Sequence, residues 1–256
     1  MNDRIALVTG AGRGIGRASA LALAAQGCRV AVTARTASEL ARVCAEIADG
    51  GGDALAVRAD LSERDAPQEI VAEVEQAWGP VEILVNNAGI GSSASPMPLV
   101  DFDDAFWELT MAVNVTAPYR LTRLVLPSML HAGWGRIINI ASINARVPSL
   151  HGAAYIASKH ALAGLTKASA LEVGGHGITC NAVCPGATAT LTNDLRLEYD
   201  AERLGKTVEE LAVAASPLGR RILPEEVAAA VAFLASDPAN AINGQLVNVC
   251  GGTLMA

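Results

Sequence analysis

Short runs of apolar residues alternate along the chain with longer segments in which apolar residues recur at helical spacing. The first run, residues 5–8, is apolar at every position and precedes a helix-like segment at residues 16–26. Runs that are apolar on both faces and separated by helices are typical of parallel sheets covered on both sides. The pattern predicts seven strands, at residues 5–8, 29–33, 54–57, 83–85, 136–140, 179–183 and 245–249. It predicts helices at residues 16–26, 38–49, 64–78, 103–116, 118–131 and 153–173.

The even spacing of these segments predicts one domain. No Pro- or Ser-rich linker interrupts residues 1–256, so we expect a single α/β domain with helices on both faces of a seven-stranded parallel sheet. Residues 187–216 break the rhythm, because they are polar, charged and weakly patterned. A stretch of this kind is more often a binding segment or lid than a core element, and we expect a flexible substrate-binding segment there.

Composition narrows the classes of partner. Hydrophobic residues make up 51% of the chain, yet no stretch reaches the roughly 18 uncharged apolar residues of a membrane-spanning helix. With 19 Lys and Arg against 26 Asp and Glu, the net charge of −7 argues against nucleic acid and anionic membranes as partners. The first residues lead directly into a strand, so we expect no signal peptide and a cytoplasmic location. The histidines show no ligand-type spacing, and we predict no metal site.

A glycine-rich turn joins the first strand to the first helix. In this position glycines let a pyrophosphate approach backbone N–H groups at a helix N-terminus, where the helix dipole favours an anion. The turn therefore predicts a dinucleotide site. Its expected contacts are Gly10, Gly12, Arg13, Gly14, Ile15 and Gly16.

The end of the second strand indicates which dinucleotide is preferred. An acidic residue there would bind the ribose 2′-hydroxyl of NAD, whereas an arginine accommodates the 2′-phosphate of NADP. The strand is followed by Arg35 and no carboxylate, and Arg13 in the glycine turn supplies a second guanidinium. We therefore expect NADP (NADPH) to be preferred, with NAD as the alternative.

Three later residues suit proton transfer at a carbonyl group. Lys159 follows Tyr155 by four residues, so the two side chains share one helix face. Tyrosine ordinarily has a pKa near 10, and we expect the neighbouring ammonium to favour the phenolate and lower that pKa. Ser142, at the end of the fifth strand, could hold the substrate oxygen by a hydrogen bond.

Together these residues resemble the short-chain dehydrogenases/reductases over essentially the whole chain. The matching positions are Thr9, Gly10, Gly14 and Gly16; Asp60; Asn86, Asn87, Ala88 and Gly89; Asn114; Ser142; Tyr155 and Lys159; Pro185, Gly186 and Thr190; and Val249, Cys250, Gly251 and Gly252. The resemblance implies a Rossmann fold. It also implies an oxidoreductase that transfers a hydride between a nicotinamide and a ketone or secondary alcohol, with Tyr155 as general acid/base.

The resemblance also implies roles for further residues. Asn114 would kink a helix and hold a water near Lys159, completing a catalytic set with Ser142 and Tyr155. Further cofactor contacts are implied at Asp60 and Leu61, at Asn87, Ala88 and Gly89, at Tyr155 and Lys159, and at Pro185, Gly186, Thr188 and Thr190.

The nearest resemblance within the family is to 3-oxoacyl and polyketide-type ketoreductases, with 3-hydroxybutyrate dehydrogenases and aryl-ketone reductases also similar. The pocket walls are expected at residues 91–98, 143–151 and 187–216. The expected substrate contacts are Ser142, Asn144, Val147, His151, Tyr155 and Leu191.

Other functions and partners stay open at this stage. One alternative is an NAD-linked secondary alcohol or 3-hydroxybutyrate-type dehydrogenase, and another is a non-catalytic regulator that senses the cofactor. The substrate is expected to be a small molecule, and it could be an acyl thioester delivered by a carrier protein to Arg120, Arg123 and Arg146. The resemblance also implies a homo-oligomer, either a dimer or a tetramer.

Overall fold

The computed structural model describes residue 1 and residues 3–255. Its strands are β1 Ile5–Thr9, β2 Arg29–Ala34, β3 Ala54–Arg58, β4 Ile83–Asn86, β5 Gly135–Ile140, β6 Ile178–Pro185 and β7 Leu246–Val249. Its α-helices are α1 Gly14–Ala25, α2 Ala37–Asp49, α3 Ala66–Trp78, α4 Asp104–Met111, α5 Ala117–Ala132, α6 Ala153–Val173, α7 Leu191–Leu204, α8 Val208–Val213 and α9 Pro224–Ala235.

The seven strands form one parallel sheet, which confirms the predicted fold class. The strand order is β3-β2-β1-β4-β5-β6-β7, and every neighbouring pair runs parallel. β1, β4, β5 and β6 are buried along their full length. This is why β1 and β4 read as apolar runs rather than as alternating ones, while β5 and β6 bury Arg136, Asn139 and Asn181 among their apolar residues.

Helices cover both faces of the sheet. On one face Leu23 of α1, Val43 of α2 and Val231 of α9 pack with Val8 of β1 in one buried cluster. The core of the other face contains side chains of α3, α5 and α6, such as Ile70, Leu121 and Val173. Within the part of the chain that the structure describes, no helix is both long and apolar enough to cross a bilayer.

The structure contains helices that the sequence pattern did not predict. α9 is nearly all apolar, so it lacks the polar face that marks an amphipathic helix. α7 and α8 lie within residues 187–216, where Thr190 and Thr207 cap their N-termini through side-chain oxygens. The predicted flexibility of this segment stays a prediction.

The strand order reverses direction between β1 and β4. From β1 the chain moves outward to β2 and β3, then crosses back to β4 on the other side. In open parallel sheets a crevice forms at the carboxyl ends of the strands at such a point, and ligands bind there. The glycine turn follows β1 and Asn87–Gly89 follow β4, so both lie at this crevice.

Candidate active site

A cavity of about 1070 Å³ runs along the carboxyl ends of the strands. We call the part around the glycine turn the glycine-turn end, and the part around Ser92, Val147 and α7 the α7 end. The described residues of the cavity wall include every predicted site residue except Asn114 and His151. The fold thus brings together side chains and loops from residues 10 to 191.

Backbone contacts fix the shape of the glycine-turn end. Gly10 has φ +61°, and a Cβ there would come within 2.8 Å of the Ala88 Cα. A Cβ on Gly16 would overlap the Gly10 carbonyl oxygen. Asn87 ties the two segments together, because its Nδ2 donates to the carbonyls of Thr9 and Gly10 at 2.8 and 3.1 Å. Side chains larger than glycine would therefore displace the turn from the segment that follows β4.

The N-terminus of α1 suits an anion. Its N-cap residue, Arg13, makes no side-chain cap hydrogen bond, and its first turn contains no acidic residue. Backbone N–H groups at such an end have no helical partner and carry a partial positive charge. The residues present therefore fit the pyrophosphate of a dinucleotide.

Two exposed arginines, Arg13 and Arg35, line this end of the cavity. The side chain of Arg13 is 59% exposed and that of Arg35 is 75% exposed. Each guanidinium lies near a carboxylate but beyond hydrogen-bond distance. Arg13 Nη1 is 3.7 Å from Glu39 Oε1, and Arg35 Nη1 is 3.9 Å from Asp60 Oδ2. The sequence did not single out Glu39. These loose pairs leave both guanidiniums accessible to a phosphate group.

Asp60, the predicted adenine contact, is held as a carboxylate. Burial by itself raises its pKa, but hydrogen bonds from the Ser62 backbone N–H and hydroxyl, together with the charge of Arg35, produce a net lowering of that pKa. The two Ser62 hydrogen bonds measure 3.0 and 2.8 Å. Asp60 is therefore an anchored acceptor at the edge of the cavity.

Ser142, Tyr155 and Lys159 meet at the centre of the cavity. The Ser142 side chain lies close enough to the Tyr155 side chain to act on its pKa. Ser142 Oγ also accepts a 3.1 Å hydrogen bond from the backbone N–H of Asn144, which fixes its position. Lys159 Nζ lies 5.6 Å from the centre of the Tyr155 ring and donates a 2.8 Å hydrogen bond to the Ile140 carbonyl.

Burial controls the proton affinities of this pair. It raises the pKa of Tyr155, although the nearby Ser142 side chain acts in the opposite direction. Burial also lowers the pKa of Lys159 to about 8. The lowering of the tyrosine pKa that the sequence led us to expect is therefore not found, because loss of hydration at Tyr155 outweighs its favourable contacts. Without a bound ligand, Tyr155 is a phenol that can donate a proton.

Asn114 lies behind the cavity wall rather than in it. It belongs to a π-helical turn, Ala112–Thr116, between α4 and α5, which agrees with the predicted distortion of this helix. Its side chain exchanges hydrogen bonds with the backbone of Ile90 at 2.8 and 3.0 Å and donates to Ser158 Oγ at 3.0 Å. Asn114 thus anchors the segment after β4 to α6, one residue from Lys159.

The segment after β6 forms a wall of the cavity beside the glycine turn. Pro185 ends β6, and the Thr188 hydroxyl donates to the Gly186 carbonyl at 3.0 Å. Thr190 caps α7, and a Cβ at Gly14 would lie 3.2 Å from its Cγ2. The predicted contacts on this segment, including Leu191, therefore lie beside the glycine turn.

The α7 end combines predicted and unpredicted residues. Val147 and Leu191, the predicted substrate contacts, line it, and Leu109 and Val113 add an apolar wall that the sequence did not indicate. His151 is absent from the lining, and its Nδ1 forms a hydrogen bond with the Tyr199 hydroxyl of α7. No residue type alone could have indicated this pairing, since its partners are 48 positions apart.

Metal chemistry finds no support in the described part of the chain. Among residues 1 and 3–255, no group of three or more His, Cys, Asp and Glu side chains could hold an ion.

Comparison with known proteins gives a consistent result. Residues 4–199 match the short chain dehydrogenase family. The chain is 38% identical over 258 residues to a D-beta-hydroxybutyrate dehydrogenase of Cupriavidus necator, covering 98% of each protein. It is 39% identical over 257 residues to a 3-oxoacyl-acyl-carrier-protein reductase of Synechocystis sp., covering 100% of this chain and 98% of that protein.

A solved structure is similar over the same length. The crystal structure of a variant of actinorhodin polyketide ketoreductase with NADPH superimposes with a TM-score of 0.92 at 37% identity, covering 98% of both chains. The glycine turn, the fold and the full-length similarity agree, and the chain belongs to the short-chain dehydrogenase family of oxidoreductases.

Proposed function

We propose that this protein is an NADP(H)-dependent reductase of ketones, with Tyr155 as general acid/base. The observation that carries the proposal is the meeting of Ser142, Tyr155 and Lys159 in the same cavity as the glycine turn. The pyrophosphate fits the N-terminus of α1, and the 2′-phosphate fits Arg13 and Arg35. When bound, reduced nicotinamide supplies the hydride that a carbonyl carbon accepts.

Three side chains, Ser142, Tyr155 and Lys159, act on the oxygen of the reacting carbonyl. Ser142 and Tyr155 are hydroxyl donors held side by side, so both can point to an oxygen on which negative charge develops. The raised pKa of Tyr155 keeps its proton available for donation to that oxygen. The Lys159 ammonium, fixed by the Ile140 carbonyl, lies beside the tyrosine and stabilises negative charge there.

The substrate class is a small ketone or the corresponding secondary alcohol. Relatives that act on 3-oxoacyl and hydroxybutyrate groups support this class, and the apolar wall of Val113, Val147 and Leu191 supports a substrate with apolar groups next to the carbonyl. An acyl thioester is one such substrate. Of the arginines considered for a carrier protein, Arg120 and Arg146 donate to the carbonyls of Arg64 and Leu246.

A homo-oligomer, dimer or tetramer, forms part of the same proposal. Large apolar side chains are exposed on the outer helices, including Tyr119 of α5, Leu171 of α6 and Phe233 of α9. Burying such side chains between copies would stabilise an assembly. Light scattering coupled to size exclusion measures the number of copies directly.

Replacing Tyr155 tests the chemistry. Tyr155→Phe should lower kcat for ketone reduction by about 10³-fold, since general acid catalysis contributes that order of magnitude. NADPH binding, followed by cofactor fluorescence, should stay within about twofold. The matched control is Tyr119→Phe, at an exposed position of α5, which should retain full activity. A Tyr155→Phe variant that keeps its activity would contradict the proposal and favour a cofactor-sensing regulator.

Replacing Arg35 tests the cofactor. Arg35→Ser should lower kcat/KM for NADPH about tenfold to a hundredfold and leave that for NADH nearly unchanged, because only the 2′-phosphate needs the guanidinium. The second candidate, an NAD-linked dehydrogenase of 3-hydroxybutyrate type, is favoured by the Cupriavidus necator relative. Equal losses for both cofactors, with faster turnover on NADH in the unchanged protein, would select that candidate.

A further inference from the structure

The wall of the α7 end includes a cationic side chain, that of Arg196. Arg196 of α7 lines the cavity, and only 14% of its side chain is exposed. The other arginines of the described cavity wall, Arg13, Arg17 and Arg35, belong to the glycine turn, α1 and the end of β2. Lys159 is buried and committed to the Ile140 carbonyl. Arg196 is therefore the cationic side chain with which a negatively charged substrate would pair.

Arg196 is, however, already occupied. Its Nε donates to Asp200 Oδ2 at 2.8 Å, and its Nη2 donates to Asp200 Oδ1 at 3.3 Å and to the Leu150 carbonyl at 2.8 Å. Its Nη1 donates to Ser92 Oγ at 3.3 Å. Since a guanidinium has five N–H donors, these four bonds leave one of them for a ligand. The same bonds join α7 to the segments that follow β4 and β5.

The acidic groups near this end are paired as well. Asp200 also accepts hydrogen bonds of 3.3 and 3.0 Å from Arg203, one turn further along α7. Asp194, at the start of α7, pairs with Arg221. A substrate carboxylate that took Arg196 would thus lie close to the carboxylate of Asp200, and both groups would lose hydration.

We propose that the Arg196–Asp200 pair is a specificity determinant that directs this enzyme to uncharged ketones, such as 3-oxoesters and thioesters, and away from 3-oxo acids. The inference rests on the function proposed above and adds the charge of the substrate to it. The discrimination arises because Asp200 already pairs with Arg196. A substrate carboxylate would therefore find no available positive charge there, whereas an ester needs none. The apolar wall opposite, with Val113 and Val147, suits the same uncharged substrates.

The test compares acetoacetate with its ethyl ester. The ratio of their kcat/KM values with NADPH is measured for the unchanged protein and for Asp200→Asn. Asparagine keeps the shape of the side chain and one oxygen acceptor, but it removes the charge that holds Arg196. We expect the unchanged enzyme to favour the ester, and we expect Asp200→Asn to raise the acid-to-ester ratio about tenfold, because a charge-assisted pair becomes available to the acid. Comparing variants cancels the intrinsic difference in reactivity between the two compounds.

Two control variants isolate the pair. Arg203→Gln removes the other partner of Asp200 but leaves Arg196 in place, and Asp194→Asn removes a carboxylate at the start of α7 that pairs with Arg221. Both should leave the acid-to-ester ratio within twofold of the original. A tenfold rise in either control would overturn the proposal, since the effect would then come from loosening α7.

A measurement on the unchanged protein covers the case in which Asp200→Asn does not fold. Butyrate and methyl butyrate are compared as competitive inhibitors of ester reduction, and the ester should inhibit at the lower concentration. Stronger inhibition by butyrate, preference of the unchanged enzyme for acetoacetate, or an unaltered ratio in folded Asp200→Asn each overturns this proposal alone. Failure of the unchanged enzyme to reduce any ketone overturns the proposed function, and this inference with it.

Discussion

At the glycine-turn end of the cavity, backbone atoms of neighbouring segments touch one another, whereas at the α7 end side chains reach across between segments. A Cβ on Gly10 or Gly16 would meet backbone atoms of Ala88 or Gly10. At the other end, Arg196 bonds to Ser92, Leu150 and Asp200, and Tyr199 bonds to His151. The first kind of wall admits one residue type, while the second can be rebuilt by changing side chains.

The two kinds of wall suit two different functions, cofactor binding and substrate selection. A cofactor of fixed shape is served by a backbone cradle, in which a displacement of less than 1 Å disrupts binding. Selection among substrates is served by side chains, such as Arg196 and Tyr199 on α7, that join different segments by hydrogen bonds. Changes at the glycine-turn end should therefore cost stability and cofactor binding, and changes at the α7 end should alter KM and selectivity.

The largest effect is expected from Gly16→Ala. The added methyl group would overlap the Gly10 carbonyl oxygen and the Asn87 amide, so the turn or the segment after β4 must move. We expect the free energy of unfolding to fall by at least about 3 kcal/mol, at the upper end of overpacking costs. Urea unfolding of the ligand-free protein measures it.

The control for this prediction is Gly175→Ala, where a Cβ would meet no atom within 4 Å. It should change stability by less than about 1 kcal/mol. If the two variants were equally stable, the backbone contacts would not be what shapes the glycine-turn end.

The next effect comes from Lys159, which lies between the two ends. Its pKa falls to about 8 in the folded protein from an unfolded value of 10.5. Between these values the unfolded chain binds a proton that the folded protein does not, so stability from this group is fully present above pH 10.5 and is lost as the pH falls through about 8. The shift corresponds to about 3 kcal/mol, at 1.36 kcal/mol for each pH unit.

Lys159→Met isolates this contribution. The unfolding free energy of the unchanged protein minus that of Lys159→Met should rise by about 3 kcal/mol from below pH 8 to above pH 10.5. Lys167→Met, at an exposed position on α6, is the control and should give a flat difference. A flat difference for Lys159 as well would mean that burial does not disfavour its charge.

The sequence predicted those regions whose structure or chemistry depends on residues close together in the chain. The central strands were readable because neighbouring residues are buried on opposite faces of the sheet, such as Val8 on one face and Leu7 on the other, or Ile138 and Ile137. The glycine turn, Ser142, Tyr155 and Lys159 were readable because their motifs are short. α9 was not readable, because an apolar helix shows no polar face at helical spacing.

The side-chain contacts at the α7 end could not be predicted for a different reason. Arg196 and Ser92 are 104 positions apart, and their contact depends on where the fold places α7. Glu39 beside Arg13 is a similar case, since α2 brings its carboxylate to the glycine turn from a separate βα unit. Ordinary charged residues of this kind carry no local signal of their partners, and only the tertiary structure assigns them to a site.

Glu39 provides a smaller effect at the glycine-turn end. Its carboxylate lies 3.7 Å from the Arg13 guanidinium, where it would compete with and repel a 2′-phosphate bound as proposed above. Glu39→Gln should tighten NADPH binding about threefold to tenfold at low salt and leave NADH binding unchanged, with the gain shrinking as salt is added. Titration calorimetry measures both constants.

The matched control for this charge effect is Asp49→Asn, which removes one negative charge from the exposed end of the same helix. It should leave both cofactors unaffected. Equal tightening of NADH and NADPH by Glu39→Gln would show that the carboxylate does not act on the 2′-phosphate.

The smallest effect is expected from Tyr199→Phe at the α7 end. The substitution removes the hydroxyl that bonds to His151 but keeps the ring under Arg196, whose Cζ lies 5.4 Å from the ring centre. A neutral hydrogen bond contributes about 1 kcal/mol, so KM for a ketone should rise about twofold to fivefold as α7 loosens. kcat and NADPH affinity should stay unchanged, because Tyr155, Lys159 and the glycine turn are untouched. Steady-state kinetics separate these constants, with Tyr119→Phe as the control. A loss of NADPH affinity in Tyr199→Phe would show that the two ends of the cavity are coupled through α7, and the division between a backbone-built end and a side-chain-built end would then fail.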